Sequence, residues 1–520
     1  MASLRWLDAA IIIVYMLAMV FIGRWFSRRQ KTTEDYFVAK RSIPSWAMGV
    51  SIYAALISSI TFTGYPGSAY AGNWNELVPG FMVVGVLILV GLVIIPFFRH
   101  VVGMSAYEYF EKRFGYKVRA YSALGFTAGH FSKMGFVFYS LALTVTSITG
   151  WNIYVVMLVT GVVTIYYTVI GGLEAVIWTD VIQGFIKAFG IIVCLGVLAF
   201  MIPGGLPAAF RLASENNKFS LGTFDFNLRS NSSFWVMSLY GFFWYMQKYT
   251  ADQTLVQRYL VAKTDREALR GVALGALLCI PAWTLFMLAG TLTWAYYKTS
   301  GDVLPTEIAA KTDKIFPYFL STKMPMGIAG LFLAALFSAA MSMLSSDLNC
   351  LSVVGVEDYY RKLRPQATDS QRLRMGKLLI AICGTLSVAI GMIIAWKSDR
   401  VLSYYYTVTS ILAGGLAGLF LLAFLCPRAN KQGVWCGIVA CLLFTTWGTL
   451  TVGKDPTLNL GAWNFPYHKV MIGVFAHVVL LVVGYSSSYF FAVPDAITQK
   501  MTLWGWLEKT RADRAQTTQP

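Results

Sequence analysis

Two lysines interrupt otherwise apolar runs of this chain: Lys133 lies within HFSKMGFVFYSLALTVT and Lys248 within GFFWYMQKYTADQ. A charged group at membrane depth faces a cavity or a partner, because hydrocarbon cannot solvate it. Each ammonium is therefore a candidate ligand for an anionic solute. Lys248 has a second reading, since Asp252 follows one helical turn later and can neutralise it. His130 precedes Lys133 by one turn and either lines the same cavity or packs in the core. Asp347 is an acid within another apolar run, where it could bind a cation, pair with a lysine or carry a proton.

Oxygen-bearing residues form two further groups. From Ser45 the chain reads SWAMGVSIYAALISSITFTGYPGSAYAG, with Ser58, Ser59, Thr61, Thr63, Gly64, Pro66 and Gly67 crowding its middle. Either the helix breaks there, offering carbonyl oxygens to a cation and amides to an anion, or it kinks with its hydroxyls bonded back to the backbone. From Gly330 the chain reads GLFLAALFSAAMSMLSSDLNCLSVVGVEDYY, which spaces Ser338, Ser342, Ser345, Ser346 and Asn349 by threes and fours along one or two helical faces. Hydroxyls are hard ligands that suit a small monovalent cation, whereas a soft metal would call for Cys or His. Ala334, Ala335, Ala339 and Ala340 in the same stretch fit close helix packing.

The elements that must position these groups are membrane helices. Of 520 residues 57% are hydrophobic and 13% charged, and windows of ~20 apolar residues, enough to cross a bilayer, recur along the chain. They predict about thirteen spans, at 8–26, 46–72, 78–98, 118–147, 152–170, 181–202, 232–260, 268–297, 326–355, 375–396, 401–425, 433–452 and 467–492. The organisation expected is one all-α integral membrane domain over 1–507 and a polar, disordered cytoplasmic tail over 508–520. Loops 203–231 and 298–325 read as partly structured caps. Residues 24–41, 99–119 and 357–377 are rich in Lys and Arg, and the positive-inside rule then places the N-terminus outside and the C-terminus in the cytoplasm of a multi-pass cell-membrane protein. The net charge of +17 is absorbed by those loops, which excludes nucleic acid as the expected partner. The seven cysteines form no CxxC pair, so neither a disulfide framework nor a metal knuckle is expected. The first apolar run lacks a basic leader and a cleavage site, and reads as a retained span.

The stretches TTEDYFVAKRSIPSW, FTGYPGSAY, YTVIGGLEAVIWTDVIQG, DQTLVQRYL, the serine span ending in VEDYY, and FLCPRANKQG together resemble the solute:sodium symporter family, which includes sodium/glucose, iodide, pantothenate and sialic acid transporters. The match runs from about residue 30 to 435 in the family's order. The resemblance implies a LeuT-like core of inverted five-helix repeats, with the second and seventh spans broken and alternating access between them. It implies a sodium site built from the carbonyls of Ala54, Ile57 and Ala335 and the hydroxyl of Ser338. The family's second hydroxyl falls on Ala339, so Ser342 or a water must supply the missing oxygen, or sodium binds more weakly. Asp180, in WTD, matches an acid linked to sodium release or a second sodium; as an alternative it caps the helix starting at Val181.

For the solute, the sugar-gripping residues of the family are absent here: Ile60 and Thr61 replace a Glu–Gln pair, and Tyr406 stands where a Gln would fall. Lys133 aligns instead with an arginine that sialic acid transporters present to a carboxylate, and Ser58 and Thr61 match its companion hydroxyls. Lys248 replaces an aromatic gate residue. The expectation is a sodium-coupled symporter, acting as a monomer or loose oligomer, for a small anionic solute such as sialic acid or another carboxylate. A neutral sugar or polyol is the alternative. An enzyme would show a cluster of acids, bases or nucleophiles, a sensor would need a soluble output domain, and a channel would need a repeated pore loop; none is present in the sequence.

Overall fold

The computed structural model describes residues 6–27, 30–396 and 414–517. Those residues are helical and connecting segments, and nine of the helices are long and apolar enough to cross a membrane, or ten if one sharply bent pair is a single span. The first span is α1, Trp6–Ser27. The bent pair is α2, Ser45–Leu56, and α3, Ser59–Ala71, which meet at 59°. Ile57 and Ser58 between them are extended, with φ/ψ of −89°/101° and −98°/173°.

The break falls ahead of the proline and glycines that were expected to cause it. Gly64, Pro66 and Gly67 all lie inside α3, where Pro66 and Gly67 are closely packed. A Cβ on Gly67 would come within 2.9 Å of Asp313 backbone, and one on Gly290 within 2.1 Å of the Pro66 carbonyl.

Next in the core come α4, Tyr116–Thr149, and α5, Ile153–Met201. At ~1.5 Å per residue, α5 would be far longer than a ~30 Å bilayer core. It changes direction at Gly172, whose φ of 60° and ψ of −163° are open to glycine and to few other residues. Two spans, as expected at 152–170 and 181–202, therefore share one nearly continuous hydrogen-bonded helix.

The expected span 232–260 is also divided, into α6, Phe234–Thr250, and α7, Gln253–Leu260. Asp252 caps α7 by accepting from the Thr254 amide at 2.9 Å. The serine span is α8, Ile328–Val353. It is the core of the bundle: 83% of its apolar window is buried, against 33–56% for the other described spans.

The two expected caps contain the helices Gly205–Glu215 and Ile315–Lys323. The polar tail differs from expectation, since Leu503–Thr517 is helical. Much of the span expected at 401–425 lies outside the described residues, which resume before the helix Leu416–Leu425.

Candidate functional site

The break between α2 and α3 borders a cavity of about 390 Å³, with Ser58, Thr61, Lys133, Lys248, Trp244 and Asp347 in its wall and Glu76 toward the far end of α3. A volume of this order fits a small solute with a few polar groups fixing its orientation. Four of the five substrate residues read from the sequence thus share one wall. The fifth, Tyr406, lies outside the described residues.

Neither cavity lysine is unpaired. Lys133 Nζ lies 2.9 Å and 2.8 Å from the two carboxylate oxygens of Asp347. Lys248 Nζ contacts Asp252 Oδ2 and stands 5.3 Å from the centre of the Trp244 ring. His130 joins the two pairs, with Nδ1 at 2.9 Å from Asp347 and Nε2 at 3.3 Å from Asp252. The result is a chain of contacts, Lys248, Asp252, His130, Asp347, Lys133, that links the break in the seventh span to α8 and α4. Of the roles left open for Asp347, pairing with a lysine is the one observed. Lys248 both meets Asp252 and lines the cavity, so its two readings hold together. A second cavity of about 150 Å³ touches the other side of the chain at His130 and Asp252.

The residues expected to hold sodium are arranged otherwise than anticipated. Ala54 O, Ile57 O and Ser342 Oγ do converge, and the ammonium of Lys187 lies among them at 2.6, 3.1 and 2.6 Å. Ser338 Oγ donates to the Gln183 carbonyl at 2.9 Å. Ala335 packs against Gly190 of α5, where an added Cβ would come within 2.9 Å of its methyl.

Asp180 is no helix cap, being interior to α5. Its Oδ2 accepts from Arg258 at 2.8 Å and from Ser51 at 2.6 Å, while Oδ1 has no hydrogen-bond partner. Arg258, on α7, also donates to Ser51, Ser346 and the Thr254 carbonyl. It therefore ties α2, α5 and α8 together with a side chain that is itself fully buried.

Lys187 and Arg258 escaped the sequence reading. Lys187 carries the same signal that exposed Lys133, a lone charge in an apolar run, but its partners, and all of those of Arg258 except the Thr254 carbonyl, lie more than 70 residues away in the chain, and no local pattern announces them.

Broken helices meeting at a polar cavity, with a buried serine helix beside them, define a secondary transporter of the LeuT-like fold and not an enzyme. The sequence profile of the sodium:solute symporter family matches residues 36–440, and the chain belongs to that family. It is 32% identical over 481 residues to the sodium/sialic acid symporter NanT of Aliivibrio fischeri, covering 92% of each chain. It is 32% identical over 440 residues to the sodium/sialic acid symporter SiaT of Proteus mirabilis, covering 84% of this chain and 88% of that one. A solved substrate-bound, outward-open structure of a sodium-coupled sialic acid symporter superposes with a TM-score of 0.87 at 31% identity, covering 94% of this chain and 99% of its own.

Proposed function

We propose that this protein is a sodium-coupled symporter that imports a small carboxylate-bearing solute by alternating access, with sialic acid the first candidate. The observation that carries the reading is the pair of lysines, Lys133 and Lys248, in the wall of one cavity beside Ser58 and Thr61. Similarity to sialic acid symporters over most of the chain supports it.

Lys133 is the group that receives the carboxylate. It is held 28% exposed against Asp347, so an entering carboxylate exchanges one acidic partner for another and leaves the ammonium neutralised throughout. Asp347, released from the ammonium, keeps its contact with His130 Nδ1 at 2.9 Å. Ser58 and Thr61 offer hydroxyls at the break, and Trp244 and Lys248 line the same cavity. The ties that Arg258 makes to α2, α5 and α8 hold one end of the passage shut while solute binds. They must yield when the bundle rocks. A sodium ion entering down a membrane potential of about 100 mV contributes ~2.3 kcal/mol per charge to the concentrating work.

The transporter comprises residues 1–507 with a tail over 508–520. Its N-terminus faces outward and its C-terminus the cytoplasm, and it acts as a monomer or loose oligomer. Uptake of N-acetylneuraminate into proteoliposomes tests this reading, with sodium replaced by choline on one arm and Lys133→Gln on another. Sodium-stimulated uptake that the substitution abolishes is expected. Equal binding of a neutral sugar or polyol by both proteins, with no carboxylate bound by either, would overturn the anionic solute.

A further inference from the structure

We propose that the ammonium of Lys187 is a tethered replacement for a bound metal cation at the break of the second span, so that sodium driving transport is held elsewhere. The proposal rests on the symporter reading and narrows it.

The oxygens around Lys187 Nζ form a cation site. Ala54 and Ile57 lie at the C-terminal end of α2, where the last carbonyls have no intrahelical donor and carry the negative end of the helix dipole. The Ser342 hydroxyl directs its proton at the Ala54 and Ala339 carbonyls, at 3.1 and 3.3 Å. Its lone pairs are therefore left for Lys187. An ammonium has three N–H donors and no acceptor, and here three oxygens take one each. The hydrogen bonds of Nζ go to neutral oxygens only, while the Asp180 carboxylate, two turns back along α5, acts on the same charge from outside that shell.

Lys187 has no exposed surface, and the close approach of Gly190 to Ala335 holds α5 against α8 one turn further along. With Nζ at the centre of the ring, a sodium ion has no room among the same oxygens.

An ordinary helix cap is the plainer role for a lysine at helix-terminal carbonyls. Lys218 plays it at the other half of the broken span, donating to the Ala69, Tyr70 and Gly72 carbonyls at 3.4, 2.7 and 3.0 Å. What separates Lys187 is where its third ligand comes from: Ser342 belongs to α8, so the ammonium bridges the broken span to the serine helix.

The test is sodium binding by purified protein, read as sodium-over-choline thermal stabilisation and as 22Na+ binding. Lys187→Ala should open the ring and gain a sodium site at least tenfold tighter than anything the wild type has there. The double variant Lys187→Ala with Ser342→Ala should lose that gain, which removal of a mere cap would not produce. A folded Lys187→Ala protein with no gain in sodium binding overturns the proposal.

Hydrogen exchange on the wild type needs no variant. Replacing choline by sodium should leave the peptide spanning 53–58 unchanged, and sodium-dependent protection there overturns the proposal. If uptake by the wild type proves independent of sodium, the sodium drive fails while the ring assignment stands.

Discussion

The lysines in two neighbouring parts of this transporter are satisfied in opposite ways. Lys133 and Lys248 are paired with Asp347 and Asp252, bridged by His130, and border a cavity. Lys187 is enclosed by two carbonyls and a hydroxyl. A lysine paired with a carboxylate can trade it for another carboxylate if the first keeps a second partner, as Asp347 does in His130, which suits a solute that comes and goes. A lysine enclosed by two carbonyls and a hydroxyl is held in one place, which suits a fixed structural group. The difference predicts that one group governs affinity and the other governs whether the break keeps its shape.

The sharpest way to break this comparison is Lys187→Met, which keeps most of the stem volume but removes every donor from the ring. The Ile57 carbonyl and Ser342 would then be buried without that partner, at about 1–3 kcal/mol for each acceptor left unsatisfied. Uptake is expected to fall more than a hundredfold, with a loss of several degrees in thermal midpoint in detergent. A variant with normal stability and lowered solute affinity would move Lys187 into the solute site and erase the distinction.

Lys133→Gln should do the reverse. Asp347 keeps its bond to His130, so the midpoint should shift little. Binding of a carboxylate solute measured by calorimetry should weaken about tenfold to a hundredfold, equivalent to roughly 1.4–2.8 kcal/mol.

How much of this could be read from the chain follows from the range of the interactions. The second span was visibly special because Ser58, Pro66 and Gly67 lie close together in sequence. Its break at Ile57 and Ser58 agrees with the carbonyls of Ala54 and Ile57 that the resemblance implied, while Pro66 and Gly67, which the local composition favoured as its cause, serve packing against Gly290 and Asp313. Lys133 and Lys248 stood out as charges in apolar runs, and so did Asp347. Their pairing through His130 was hidden because it joins residues more than 100 positions apart. Lys187 lay in the apolar run FIKAFGIIV and carried the same signal. Of the ring it fills, the resemblance implied Ala54 and Ile57 and offered Ser342 as one replacement for a missing hydroxyl, whereas Ala335 and Ser338 of the same implied set lie outside it.

Asp347→Asn sharpens the affinity half of the comparison. If the solute carboxylate displaces Asp347 from Lys133, removing that competitor should tighten carboxylate binding about threefold. The double variant with Lys133→Gln should depart from additivity by about 1–3 kcal/mol, as contacting residues do. Additive effects in calorimetry would mean that Lys133 never exchanges its partner.

The smallest effect is expected at the hinge between the two sets. Thr61 Oγ1 accepts from the Ser58 amide at 3.3 Å and also lines the cavity, so it serves the shape of the break and the solute at once. Thr61→Val preserves the side-chain outline while removing that acceptor, at about 0.5–1.5 kcal/mol. Solute affinity should fall a few-fold with a small drop in midpoint, and ring-dependent behaviour should stay intact because Lys187 still holds Ala54 and Ile57. Should Thr61→Val instead reproduce the transport loss of Lys187→Met, the break would be set by its own local hydrogen bonds, and Lys187 would be secondary to them.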